Sequence, residues 1–276
     1  MSSPKVTIIT GTWNREAFLP AILACVRAQT YDNFEWIVLD DSDVPSAELQ
    51  NCAWDKLKYI YSPERITLGE KRNMMIAQAS GEIIVNFDDD DYYGPDYVAN
   101  RIQSITDSGY QLSIMSGFFV YHINTGNFGY YRTGIKKGPA YQFGQRGAKA
   151  VRLEELKIPF IHLCFGWSFV YYKSLWEKVK FSDITMFEDR EFSREALQHT
   201  KINFYESRSM DSIHAIHNLS SSNCFPQFLI PPFMLSSESK DVRTHIDQLT
   251  GVVRAINAAK DAAAPQPANA PQPVSG

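Results

Sequence analysis

The sequence has no run of about 18 apolar residues, the length that a membrane-spanning helix requires. Its richest apolar segment, Phe225 to Leu235, is short and is interrupted by Pro226, Pro231 and Pro232. No basic region followed by an apolar stretch precedes the first strand; Met1-Ser-Ser-Pro-Lys5 leads straight into it, so no secretory leader is expected. Cysteine is scarce and scattered. Cys25, Cys52, Cys164 and Cys224 form no C-x-x-C pair, so they read as reduced thiols, and the expected location is cytoplasmic. G-x-G-x-x-G is missing, which disfavours a dehydrogenase, and G-x-x-x-x-G-K is missing, which disfavours a P-loop enzyme. With a net charge of -4 there is no basic excess, and no nucleic-acid partner is expected. No internal repeat is present.

What is there is a globular chain of 276 residues, 44% hydrophobic and 21% charged, long enough for one large domain with a substantial core. Short β-branched or apolar runs alternate with helical spacing through the first hundred residues. Strands are predicted at Val6–Thr10, Trp36–Leu39, Lys58–Tyr61 and Ile83–Phe87, with helices at Phe18–Ala28, Ala47–Leu57, Leu68–Ala79 and from Gly94-Pro95 to about Thr106. Thr67-Leu-Gly-Glu70 has the form of a capping box at the third helix. Such alternation implies an α/β fold with a mainly parallel sheet flanked by helices. Ligands of such sheets bind at the C-terminal strand ends. Three polar clusters fall there: Thr10–Arg15, Asp40–Asp43 and Asp88–Asp91.

The last of these is the strongest signal. Four consecutive carboxylates follow a buried strand, an arrangement that costs stability unless a cation sits among them. A hard divalent ion, Mn2+ or Mg2+, held by aspartate oxygens would remove that cost. A solvated turn capping the next helix is the plainer alternative.

The second half is less regular. Strands are predicted at 111–121, 168–172, 201–206 and 210–217, with a short helix at 175–179. Thr185-Met-Phe-Glu188 has the form of a second capping box, opening a helix to about Gln198 and making Glu188 structural. Residues 126–150, with Arg132, Lys136, Lys137, Arg146 and Lys149, read as a long loop or hairpin. Val242, Ile246, Leu249 and Val253 recur at helical spacing; their stripe either packs on the core or pairs two chains as a homodimer. Ala262–Gly276, rich in Ala, Pro, Gln and Asn, is expected to be disordered.

Taken in order, Val6–Arg15, Gln29-Thr-Tyr31 to Ser42, Gly69-Glu-Lys-Arg-Asn73, Gly81 to Asp91 with Pro95, and Glu188-Asp189 resemble the inverting family 2 glycosyltransferases. The resemblance spans most of residues 4 to 220 and implies the GT-A (Rossmann-like) fold, with a smaller mixed acceptor-side region and a C-terminal helix. It implies a domain over 1–236 (donor half 1–107, acceptor half 108–236), a helix at 237–261 and the tail at 262–276. Residue by residue, it makes Asp88 and Asp90 the metal-binding members of a DxD motif, with His217 as a further ligand. Asp89 then faces the ribose or diphosphate. Thr10, Thr12 and Trp13 wall the base site, Asp40 and Asp41 contact the base, Arg72 lies near the nucleotide and Asp189 is the catalytic base. The donor implied is a nucleotide-diphosphate sugar, UDP-linked by preference, and the acceptor a hydroxyl of a glycan or other molecule. A nucleotidyltransferase-like enzyme and a non-catalytic nucleotide-sugar-binding module are the competing readings.

Overall fold

The computed structural model describes residues 3–123, 126–132, 138–144, 147–153, 163–207, 210–217, 227–230 and 240–263. The tail beyond 263, and Lys136, Lys137 and Arg146, lie outside them.

Strand β1 (Val6–Thr12) runs through the centre of the N-terminal half and is followed by α1 (Leu19–Arg27), β2 (Phe34–Asp40), α2 (Ala47–Gln50), β3 (Leu57–Tyr61), α3 (Leu68–Ala77) and β4 (Ile83–Asn86). These four strands pair in parallel in the order β3-β2-β1-β4. Their inner residues have almost no exposure on either face, Trp36, Ile8 and Val85 among them. That is the pattern of a sheet covered by helices on both sides.

Past the acidic run come the short β5 (Tyr92–Tyr93), α4 (Tyr97–Ser108) and the long β6 (Leu112–His122). Then follow β7 (Asn127–Arg132), β8 (Gly138–Gly144), β9 (Gly147–Leu153), β10 (Val170–Tyr172), α5 (Lys173–Trp176), α6 (Glu188–Ala196), β11 (Ile202–Glu206), β12 (Ser212–Ile216), β13 (Gln227–Ile230) and α7 (Lys240–Ala263). β10 is antiparallel to both β4 and β6, so it joins the two halves into one sheet. The first part of β6 pairs with β11 and the last part with β12, both parallel, and β12 also pairs antiparallel with β5. Within 126–150 the described residues include strands, β7 antiparallel to β6 and β8 antiparallel to β9, in keeping with the hairpin alternative.

Two local expectations change. Helix α2 stops at Gln50 instead of Leu57. Trp54 turns back to pack its ring near Trp36 and Phe34, at 6.4 and 6.1 Å between centroids, and that burial breaks the helix into a turn. The capping box at Thr67 holds: its Oγ1 accepts the Glu70 N–H at 3.2 Å. The one at Thr185 does not form. Thr185 is exposed, and α6 begins instead after Phe187, whose φ of 67° lies in the left-handed region. Finally, Val242, Ile246, Leu249 and Val253 are all buried within this chain, α7 lying on α1 and β5 with His245 against Tyr92. Of the two alternatives for this stripe, packing on the core or pairing two chains, the structure shows the first.

Gly69, at the start of α3, sits where the backbone of 182–184 crosses. Its N–H donates to the Ile184 carbonyl at 3.1 Å, and a Cβ there would fall 1.9 Å from the Ser182 carbonyl oxygen. Only glycine allows the N-terminus of α3 to approach the chain that leads into α6.

Candidate functional site

The C-terminal ends of β1 and β4 open into one cavity. Its walls include Thr12, Trp13, Arg15, Asp88, Asp89 and Asp90 on the strand side and Arg72, Gly166, Glu188 and Asp189 opposite.

The acidic run is shaped by the turn between β4 and β5. Phe87 stacks on Tyr93 at 3.7 Å, and the Tyr93 hydroxyl accepts the Asp88 N–H at 2.9 Å. The four carboxylates then diverge. Asp89 accepts from the Thr12 hydroxyl and from Arg15, both at 2.7 Å. Asp90 accepts from the same Arg15 nitrogen at 2.7 Å and lies 3.0 Å from His217 Nε2. Asp91 is sealed off; it accepts the Ala215 N–H at 2.8 Å and sits 3.0 Å from His214 Nδ1. His214 in turn stacks on Trp167. Asp88 is the most open of the four, its side chain 41% exposed, with Arg72 4.0 Å away.

Their protonation follows from these partners. Loss of water raises Asp88, Asp89 and Asp91; Arg72, Arg15 and His214 respectively pull each down without cancelling the effect. Burial also acts to raise Asp90, but Arg15 and His217 outweigh it, and Asp90 is held well below the usual carboxylate range. The positive charge that this run demanded on electrostatic grounds is thus supplied in part by a guanidinium. Arg15 belongs to the predicted Thr10–Arg15 cluster but was assigned no role there.

Oxygen atoms of Asp88, Asp90 and Asp91 lie within 4.8 Å of one another. An all-carboxylate donor set of this kind suits a hard divalent cation.

The opposite wall is carried by α6. Its left-handed entry at Phe187 turns Glu188 inward, and Glu188 is buried against Arg72 at 2.5 Å instead of returning to a cap. Sequence reasoning missed this, because the local capping pattern offered Glu188 a sufficient role. Burial pushes Glu188 up, with Arg72 opposing and Asp189 adding to the rise. Glu188→Ala would leave Arg72 buried beside only the more distant Asp88 and Asp189. A loss of roughly 3 kcal/mol of stability is expected, read by urea denaturation; a loss below about 1 kcal/mol would show that Arg72 does not depend on this partner.

Asp189 accepts the Gly166 N–H at 3.0 Å and its neighbour Arg190 N–H at 2.7 Å. A Cβ on Gly166 would meet Asp189 Cβ at 2.8 Å and Arg72 Nη2 at 3.0 Å, so the base candidate and the guanidinium approach through that gap. Two opposing influences act on Asp189: the helix N-terminus favours its charge and burial disfavours it. Burial prevails, and its pKa is raised despite Arg72 and the backbone donors.

Of the other predicted residues, Thr12, Trp13 and Arg72 face the cavity, and four lie behind its wall. Thr10 is fully buried and accepts from Trp36 Nε1 at 2.9 Å. Asp40 organises the loop after β2, accepting from the Ser42 N–H, the Ser46 N–H and the Tyr59 hydroxyl. Asp41 is closed by Arg65 and Lys71. His217 is buried, stacked on Phe18, and meets the acidic turn at Asp90.

The model of "Glycosyl transferase family 2" matches residues 7–177. The Bacillus subtilis (strain 168) protein named "Putative glycosyltransferase EpsH" is 30% identical over 110 residues, covering 39% of this chain and 32% of that protein. The Escherichia coli (strain K12) protein named "Putative colanic acid biosynthesis glycosyl transferase WcaA" is 29% identical over 113 residues, covering 38% and 40%. The aligned part thus spans about a third to two-fifths of these relatives. Among solved structures, S. aureus TarS 1-349 in complex with UDP-GlcNAc superposes with a TM-score of 0.59 at 19% identity, over 78% of this chain and 59% of that one. The parallel N-terminal sheet flanked by helices and the likeness to TarS agree with the expected GT-A fold, the family match covers both the acidic run and its flanking strands, and the chain belongs to glycosyltransferase family 2.

Proposed function

We propose that this protein is a metal-dependent, inverting glycosyltransferase that moves a sugar from a nucleotide diphosphate, UDP by preference, to an acceptor hydroxyl of a glycan or similar molecule. The observation that carries the reading is the shared cavity: Asp88 and Asp90 stand on one wall and Asp189 on the other. The solved TarS complexes with UDP and UDP-GlcNAc support a UDP-linked donor. In this reading residues 1–107 hold the donor and 108–236 shape the acceptor side.

Mn2+ or Mg2+ fits the donor set of Asp88 and Asp90, with Asp91 behind them. When bound, the ion stabilises the departing diphosphate as a Lewis acid. The chain's own residues supply the rest. Asp189 takes the proton of the acceptor hydroxyl as the new bond forms on the face opposite the diphosphate. Arg72 and Arg15 place positive charge on the two sides of the acidic turn, and His217 fixes Asp90. A purely binding role is disfavoured, because Asp189 opens onto the cavity with a raised pKa.

The test is a thermal-shift screen of UDP-, GDP- and dTDP-sugars, each with and without Mn2+. A ligand at a hundredfold excess over its Kd adds about 2.7 kcal/mol, which is several degrees for a chain of this size. The UDP-sugars with Mn2+ are expected to give the largest shift. No shift with any nucleotide sugar would overturn the proposal.

A further inference from the structure

Helix α7 lies beyond the family match, which ends at residue 177, and holds none of the residues placed in the mechanism. It contacts β5, α1 and the short helical turn Glu16–Phe18. Two of these three elements hold the acidic turn. β5 begins at Tyr92, the residue after Asp91. The Glu16–Phe18 turn follows Arg15, which bridges Asp89 and Asp90. Its Phe18 ring stacks at 5.4 Å on His217, the histidine paired with Asp90.

His245 meets β5. Its ring lies 4.9 Å from that of Tyr92, and its Nδ1 is 3.6 Å from Cys25 Sγ on α1. His245 is buried, and its Nε2 has no hydrogen-bond partner among the described residues. Burial pushes its pKa down to about 4, with the Asp91 backbone opposing, so the imidazole is neutral. An orphaned buried nitrogen costs stability that an apolar side chain at the same place would not. Packing alone therefore does not account for a histidine here. Ile246, Leu249 and Val253 bury the next two turns of the same helix face, which ties the ring to the docking of α7 as a whole.

We propose that α7 is a clamp on the acidic turn, with His245 as its positioning residue: docked, the helix fixes β5 and the Glu16–Phe18 turn so that Asp88 and Asp90 stay converged for a divalent cation. Like charges repel, and a turn free to relax would spread its carboxylates. The inference rests on the metal reading of the acidic turn. It makes metal binding and α7 docking linked events, and linkage is reciprocal. The ion holds the helix down by the same factor by which the docked helix favours the ion.

Reciprocity supplies a test that does not read activity. In the full chain, amide hydrogen exchange is followed with and without saturating Mn2+, and Mn2+ affinity is read from the EPR signal of the free ion. Mn2+ is expected to slow exchange over residues 242–253 by about fivefold or more, the lower end of couplings between sites. His245→Ala, and Leu249→Ala one turn further along α7, are each expected to speed that exchange and to weaken Mn2+ binding by a similar factor. His245→Phe, which keeps a ring against Tyr92 and loses the Cys25 contact, is expected to fall between. Melting temperatures are measured alongside, so that affinities are compared where every chain is folded. Exchange over α7 that Mn2+ leaves unchanged in the parent overturns the inference, whether or not the variants fold. So does a folded Leu249→Ala whose α7 exchanges faster while its Mn2+ affinity stays within about twofold of the parent. Either result leaves the metal reading standing. A parent chain that binds no Mn2+ overturns both.

Discussion

Asp189→Ala is expected to lower sugar transfer by about 10²- to 10⁴-fold, the span that a positioned general base contributes, while UDP-sugar affinity stays within about twofold. The separation of these effects follows from where Asp189 stands. It lies on α6, across the cavity from the acidic turn, and contacts Gly166 and Arg190 through their N–H groups. Removing it takes away a proton acceptor without touching Thr12, Arg15 or the aspartates. Burial raises its pKa, so it stays protonated to a higher pH than an ordinary aspartate. The sign is fixed: the base works ionised, so kcat/KM should fall as pH drops through that raised pKa, on a limb displaced upward from the usual range near 4. Asp189→Asn keeps the shape and should lose the limb together with the activity. A variant that turns over as fast as the parent would remove Asp189 from the mechanism.

Excess EDTA is expected to abolish transfer, and Mn2+ to restore it. A Lewis acid on the leaving diphosphate is worth several kcal/mol, on the order of 10³-fold or more in rate. The acidic turn also shows which variant tests this most cleanly. Asp90 is the central member of the motif, but it holds Arg15 and His217 as well, so Asp90→Ala would release a guanidinium and a buried imidazole together. Asp88 has the most exposed side chain of the four and its ion-pair partner Arg72 is 4.0 Å away, so Asp88→Asn changes the donor set with the least structural cost. Neither variant should recover with added metal. Full activity in excess EDTA would sink the metal assignment, whatever the variants do.

The N-terminal half was legible because its information is local. Alternating apolar runs placed β1 to β4 within a few residues, and the parallel order of those strands carried Thr12, Asp40 and the acidic run to one edge. What escaped is what depends on distant partners. Thr12 meets Asp89 across 77 positions, Arg72 meets Glu188 across 116, and His217 meets Asp90 across 127. No spacing rule records such pairs. Where a local explanation existed it could mislead, as with the capping pattern at Thr185–Glu188, which the backbone at Phe187 overrides. Thr10 and Asp41 show the converse: both sit at the correct strand ends, and burial turns them away from the cavity.

The long separation between the acidic turn and its histidines has a consequence for biosynthesis. Arg15 leaves the ribosome before Asp88–Asp91 and can meet them at once. His214 and His217 follow Asp91 and Asp90 by 123 and 127 residues. At translation rates of about 5–20 residues per second, that is a delay of roughly 6 to 25 s. For that interval the nascent chain carries a half-neutralised acidic turn, and β12, which closes both β5 and β6, has not yet been made. The order of synthesis thus makes the arrival of β12 the event that completes the donor side of the cavity.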